Sequence, residues 1–164
     1  MGSFVDRALD FIFGVKPRVQ RVLLPKKKVL KKKILHLSDG SAVRFEFRRS
    51  ADGGVTPYIR CNARCERVHV SLDDGEAQRF HKFCGQFAKT PGCVKGLEDY
   101  NRQHSFQLIR GAKPIRMQTQ ERGKEPVFCF FFAFEAPHVY ELDAGQCADV
   151  SAFLSNYEAI GKIH

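Results

Sequence analysis

Apolar residues alternate with polar or basic ones around Leu35 and Leu37 and again at Val43, Phe45 and Phe47, the period of two expected of a strand with one buried face. Asp39-Gly40 and Asp52-Gly53-Gly54 interrupt these runs as hairpin turns. Further along the period changes. Ala77, Phe80, Phe83, Cys84 and Phe87 recur at i, i+3, i+6, i+7 and i+10, one face of a helix, and Asp73 precedes them where an N-cap belongs. The pattern predicts four strands in series followed by one helix.

The pattern returns 70 residues later. Val70-Ser71-Leu72-Asp73-Asp74-Gly75-Glu76 aligns with Tyr140-Glu141-Leu142-Asp143-Ala144-Gly145-Gln146, and the helix-face positions fall opposite Cys147, Val150, Phe153, Leu154 and Tyr157. Upstream, Tyr58 and Ala63 meet Phe128 and Ala133. At an offset of 72, Ile34 to Leu37 and Val43-Arg44-Phe45 meet Phe106 to Ile109 and Ile115-Arg116-Met117, with turns at Gly111 and Arg122-Gly123-Lys124. The expected fold class is α+β: two ββββα repeats, 26–90 and 104–160, in one domain of 26–164. Each antiparallel sheet is then backed by a C-terminal helix and open to solvent on its other face.

Residues 1–25 read as an N-terminal amphipathic helix and linker. Phe4, Val5, Ala8, Leu9 and Ile12 lie opposite Asp6 and Asp10, and Gly14, Pro17 and Pro25 break the pattern. The helix is expected to dock on the domain or a partner, or to cover a sheet edge. The strand Val127 to Phe134 lacks alternation, which predicts cover on both faces, at the junction of the halves or in a dimer interface.

Length and composition agree with one folded domain: 164 residues, 43% hydrophobic, with 15 Phe and no Trp. The longest apolar run has eight residues, well short of the roughly 20 of a bilayer-spanning helix, so no membrane span is expected. Arg7, Lys16, Arg18 and Arg21 resemble an organelle-import segment, whereas Asp6 and Asp10 do not; the expected location is mitochondrial, with nuclear or cytoplasmic as the alternative.

Charge changes the picture more. The chain carries +9, but residues 16–67 hold fifteen basic and four acidic side chains, so this stretch is +11 and the remainder −2. A concentrated cationic stretch on an otherwise neutral domain suits a phosphate backbone or an anionic membrane. In the densest part, 26–33, only Val29 and Leu30 interrupt six lysines, too narrow an apolar stripe for a membrane-surface helix, which favours nucleic acid. A solvated tether or a nuclear localisation signal is the plainer reading of the same run.

Enzymatic signatures are missing. No Gly-rich phosphate loop, HExxH or GxSxG string occurs, and His36, His69, His81, His104, His138 and His164 are scattered, His69 and His138 nearly corresponding in the repeat. Cys61 and Cys65 form a CxxxC pair, and Cys84, Cys93, Cys129 and Cys147 show no zinc-knuckle spacing; all six read as reduced thiols, mostly buried small hydrophobes. The expectation is a non-enzymatic protein without cofactor or metal.

The stretch Val43-Arg44-Phe45-Glu46-Phe47-Arg48-Arg49-Ser50-Ala51-Asp52-Gly53-Gly54, followed by Tyr58-Ile59-Arg60 and by Leu72, Gly75 and Phe80 to Phe83, resembles one repeat of the purine-rich-element-binding (PUR) family. Gln120-Glu121-Arg122-Gly123-Lys124 is similar to the turn between the second and third strands of that repeat. In plan the chain also looks like the Whirly proteins and the kinetoplastid mitochondrial guide-RNA-binding proteins. Asp52-Gly53-Gly54 lacks the basic residue that flanks the family's first-repeat turn, and Glu125-Pro126 lengthens the second, so preference for a purine-rich sequence is not carried over.

The resemblance implies single-stranded DNA or RNA binding on sheet faces, as a homo- or hetero-oligomer or with ribonucleoprotein partners. The residues suggest the same, with RNA favoured. Expected phosphate contacts are Lys26, Lys27, Lys28, Lys31, Lys32, Lys33, Arg44, Arg48, Arg49, Arg60 and Arg64, with Arg116, Arg122 and Lys124 from the second half. Phe47 and Tyr58 are the stacking candidates, with core packing as the competing reading of both. The alternative function is a structural subunit of a large assembly such as an organellar ribosome, the repeats serving as a protein scaffold and the lysine segment touching RNA.

Overall fold

The computed structural model describes residues 27–64, 66–97, 115–132 and 138–157. The chain is α+β. Strands β1 (Lys28–His36), β2 (Ala42–Arg49), β3 (Val55–Ala63) and β4 (Glu66–Ser71) form an antiparallel meander and lead into helix α1 (Asp74–Lys89). Strands β5 (Ile115–Arg122), β6 (Glu125–Phe132) and β7 (Tyr140–Leu142) form a second antiparallel sheet and lead into α2 (Ala144–Ser155). The N-terminal helix and linker of 1–25, Lys26 and the strand expected over Phe106 to Ile109 lie outside the described residues.

Alternation in the first sheet does what the pattern predicts. Val43, Phe45 and Phe47 on β2 pair with Cys61, Ile59 and Pro57 on β3. Ile59 and Cys61 pair in turn with Val70 and Val68 on β4. All eight are buried, so one face of the sheet is core. The hairpins close at Gly40 and Gly53, whose φ values of 84° and 86° suit glycine. The two helices start alike: Asp73 and Asp143 accept the amides of Glu76 and Gln146, whose side chains reach back to the aspartate amides, a capping box at each end.

One core serves both sheets. Phe80 of α1 stands edge-on to Phe45 in the first sheet at 5.7 Å and to Phe130 in the second at 5.4 Å. Helix α2, which follows the second sheet, covers the first: Phe153 stacks on Phe47 with centroids 4.6 Å apart, and Tyr157 lies parallel on it at 5.6 Å. The helices approach closely at Gly85, where a Cβ would sit 2.9 Å from the Ser151 hydroxyl, and that hydroxyl donates to the His81 carbonyl at 3.1 Å.

Two expectations change. The lysine run is no tether: from Lys28 onward it is the edge strand β1, bulged between Val29 and Lys31. Lysines on an edge strand resist pairing with a further chain, which accounts for part of the cluster without any ligand. Strand β6 lies between β5 and β7 within one chain; Phe128, Cys129, Phe130 and Phe132 are buried, while Val127 and Phe131 stay half-buried, so cover on its second face is partial. Among the described residues no helix is long and apolar enough to cross a membrane, and no group of three metal-ligating side chains converges.

Candidate nucleic-acid interface

The face of the first sheet opposite the core is built by the same alternation. One row across the strands reads Ile34, Arg44, Arg60, His69, and the next reads His36, Ala42, Asn62, Arg67. A third places Lys32, Glu46, Tyr58 and Ser71 side by side. Ile34 is 43% exposed and Val29 42%, so the face is open and carries apolar area among its cations.

Glu46 sits in the middle of this surface yet is only 1% exposed, because arginines close over it. Arg48 Nε donates to its Oε2 at 2.6 Å, Arg44 Nε pairs with Oε1, and Arg60 Nη1 stands 4.0 Å from Oε1. Three guanidinium groups thus share one carboxylate, leaving a local excess of two positive charges. Because Arg44 and Arg48 meet Glu46 through Nε, the outer Nη forks are left out of those two ion pairs; that fork is the edge suited to bidentate contact with a phosphate.

Tyr58 lies on the open face, but its ring is flanked. Lys27 Nζ donates to its hydroxyl at 2.7 Å, the Arg48 guanidinium stands 5.3 Å from the ring centroid, and the His69 ring is 5.0 Å away. Burial, then the nearby Arg48, Arg60 and Arg44, hold the His69 imidazole below its ordinary value against the pull of Glu46, so it favours the neutral form.

The remaining expected contacts divide. Phe47 is fully buried beneath Phe153 and Tyr157 and is not a stacking platform; the strand period that puts Arg44 and Arg48 outside puts Phe47 inside. Arg49, two residues on, shares the helix-side phase of Phe47 and not the open face. Lys33 also faces the helix side, pairing with Asp149 of α2 at 2.7 Å, and Lys31 stands at the same phase opposite Phe47. Lys28 is opposite Arg49, and only Lys32 of the β1 lysines is in register with Glu46 on the open face. Arg64 is exposed at the β3–β4 turn.

In the second sheet Arg116 and Lys124 are exposed, but Arg122 is engaged with Glu141 at 3.1 Å and donates to the Ser38 hydroxyl. Beside it His138 contacts Asp39 at 2.9 Å, and Gln146 donates to the His36 carbonyl at 3.1 Å. These contacts tie the second sheet and α2 to the first hairpin, so His138 has a joining role while His69 faces solvent, although the two nearly correspond in sequence. Burial alone would raise Asp39; the Ser41 hydroxyl and amide and His138 outweigh it and hold its carboxyl below the usual range.

Arg67, Asn62 and Ile34 complete the surface without having been singled out from the sequence. The signal was the alternation Arg67-Val68-His69-Val70, which puts Arg67 and His69 on one face once Val68 and Val70 are assigned to the core. The described cysteines are free thiols: Cys61, Cys84, Cys129 and Cys147 are buried and Cys93 is exposed, with burial pushing Cys129 up to about 12. No protein-family model and no curated protein sequence matches the chain.

Proposed function

We propose that the protein is a non-enzymatic single-stranded nucleic-acid-binding protein that favours RNA and uses the open face of its first sheet. The observation that carries this reading is the arginine cluster around Glu46, continued by Arg67, Lys32 and Lys27 on a surface no described element covers. Cations there neutralise phosphates and release counterions, while Ile34, Val29 and the edge of Tyr58 offer apolar contact to unpaired bases. In this reading the two sheet-and-helix units are ββββα repeats of the PUR and Whirly plan, and the protein works in mitochondria as an oligomer or within a ribonucleoprotein.

A second reading has its own support. Glu46 offsets part of the arginine charge, and Lys33 is spent on Asp149, which suits a scaffold subunit whose remaining lysines touch RNA in a larger assembly. Fluorescence anisotropy with single-stranded RNA, single-stranded DNA and duplex across a salt series tests the first reading. Preference for single strands is expected, with a log K against log[salt] slope of magnitude about 3 or more. Arg60→Ala with Lys32→Ala should weaken binding at least tenfold. Should Lys28→Ala with Lys31→Ala do so instead, the scaffold reading is preferred; equal weak binding to all three nucleic acids removes the sheet-face reading.

A further inference from the structure

Ala42 is the smallest side chain on the open face. Around its methyl stand Ile34 and His36 on β1, Arg44 on its own strand, and Arg60 and Asn62 on β3, all longer. The result is a half-open hollow of about 520 Å³. Every formally charged side chain lining it is an arginine: Arg44 from β2, Arg60 from β3 and Arg67 from β4. Among the described residues no carboxylate lines it, since Glu46 lies a row away beneath Arg44 and Arg48. The neighbouring depression toward the second sheet is larger, about 1080 Å³, but Asp39 and Glu66 line it beside Arg64 and Arg67, which makes it a poor home for an anion.

The three arginines are not equally committed. Arg44 is anchored through Nε, Arg60 stands 4.0 Å from the Glu46 carboxylate with its side chain 47% exposed, and Arg67 is exposed with no ion pair among the described residues. Arg60 and Arg67 can therefore turn onto a ligand without leaving Glu46 stripped of its nearest partners. An internal phosphodiester has two non-bridging oxygens and one negative charge. A phosphate monoester has three terminal oxygens and close to two charges, one oxygen for each guanidinium and about twice the negative charge of a phosphodiester.

We propose that this hollow binds a phosphate monoester, the group carried by the end of a nucleic-acid strand or by a free nucleotide. The strand-end form of the proposal rests on the single-strand reading above; the free-nucleotide form does not. The hollow is large enough to take a sugar along with the phosphate, and Ala42 and Ile34, with Cys61 and Val68, supply the apolar part of its lining.

The test uses one single-stranded RNA sequence prepared with a 5′-phosphate, with a 3′-phosphate and with hydroxyl ends, measured by anisotropy. A nucleoside 5′-monophosphate and the matching nucleoside are titrated by calorimetry alongside. At least one phosphorylated end should bind about tenfold tighter than the hydroxyl form, the scale of one charge-assisted hydrogen bond. Arg67→Ala should erase that difference, and Lys89→Ala, which removes the same charge from the exposed last turn of α1, should leave it intact. Ala42→Leu should also erase it by filling the hollow without altering charge; if Ala42→Leu fails to fold, Arg67→Ala alone decides.

Binding of the monophosphate without discrimination of strand ends assigns the hollow to free nucleotides and supports the proposal. Tight strand binding with identical affinities for all three ends and no monophosphate binding overturns it while leaving the single-strand reading standing. Monophosphate binding lost on Arg67→Ala, with no affinity for any strand, upholds the hollow and removes the single-strand reading.

Discussion

Phe47 and Phe153 lie face to face, their centroids 4.6 Å apart and their planes 5° from parallel, although they are more than 100 residues apart in sequence. The contact joins a strand of the first sheet to the helix that follows the second. A helix that merely backed its own sheet would leave Phe47 bare. Phe153→Ala should therefore cost about 3–5 kcal/mol of stability, the range for deleting a buried aromatic ring, seen as a lower urea midpoint with an unchanged slope. A loss under about 1 kcal/mol would mean that α2 does not cover the first sheet.

Glu46 makes the opposite kind of prediction, in which stability and affinity part ways. Glu46→Gln removes the carboxylate that three guanidinium groups share, so their mutual repulsion is no longer offset. The variant should unfold at lower urea yet bind single-stranded RNA more tightly at low salt, with a steeper salt dependence, because less of the arginine charge is neutralised internally. Weaker binding at unchanged slope would show that Glu46 is needed to aim the arginines more than it is a drain on their charge.

How much of this surface could be read in advance depended on what strand period alone can decide. Period two assigned Val43, Phe45 and Phe47 to one face and Arg44, Glu46 and Arg48 to the other, and the Asp73 and Asp143 caps followed from spacing. Local pattern could not say that the run 28–36 is an edge strand whose lysines split between two faces, since that depends on its register with β2. Nor could it say that Glu46 would be sealed by its neighbours, because burial of a charge is decided by side chains two positions away on the same face and across on β3. Phe47 is the clearest case: its phase said covered, its place in a basic segment said available, and the covering residue lies in a helix over 100 positions away.

His69 should report on anything anionic that reaches the open face. Its surroundings disfavour the charged imidazole: burial first, then Arg48, Arg60 and Arg44, with Glu46 opposing. Its folded-state value lies below the ordinary 6.5, so between the two values the unfolded chain binds more protons and stability falls as pH falls. Bound phosphate offsets the local positive field. In a histidine-resolved NMR titration the His69 value should rise toward or above 6.5 on adding single-stranded RNA. An unmoved His69 at saturating RNA would place the strand elsewhere.

The two helix starts contain a natural experiment in pH dependence. Both carry a capping box, but the third helical residue is Glu76 in α1 and Gln146 in α2. Glu76 is buried, and that burial, helped by the adjacent Asp73, raises its carboxyl above the ordinary 4.5 despite the Asp73 amide and Arg79, so its charge is held at a cost. A carboxyl raised in the folded state binds more protons there than in the unfolded chain; its favourable share is complete below 4.5 and is lost as pH rises through the folded value. Glutamine keeps the hydrogen bond to the Asp73 amide without the charge, as Gln146 does for Asp143 at 3.0 Å. Glu76→Gln should match the natural chain near pH 3 and exceed it near pH 8 in urea unfolding. The reverse order at pH 8 would mean that attraction between the ionised carboxylate and the helix N-terminus outweighs the cost of burying it.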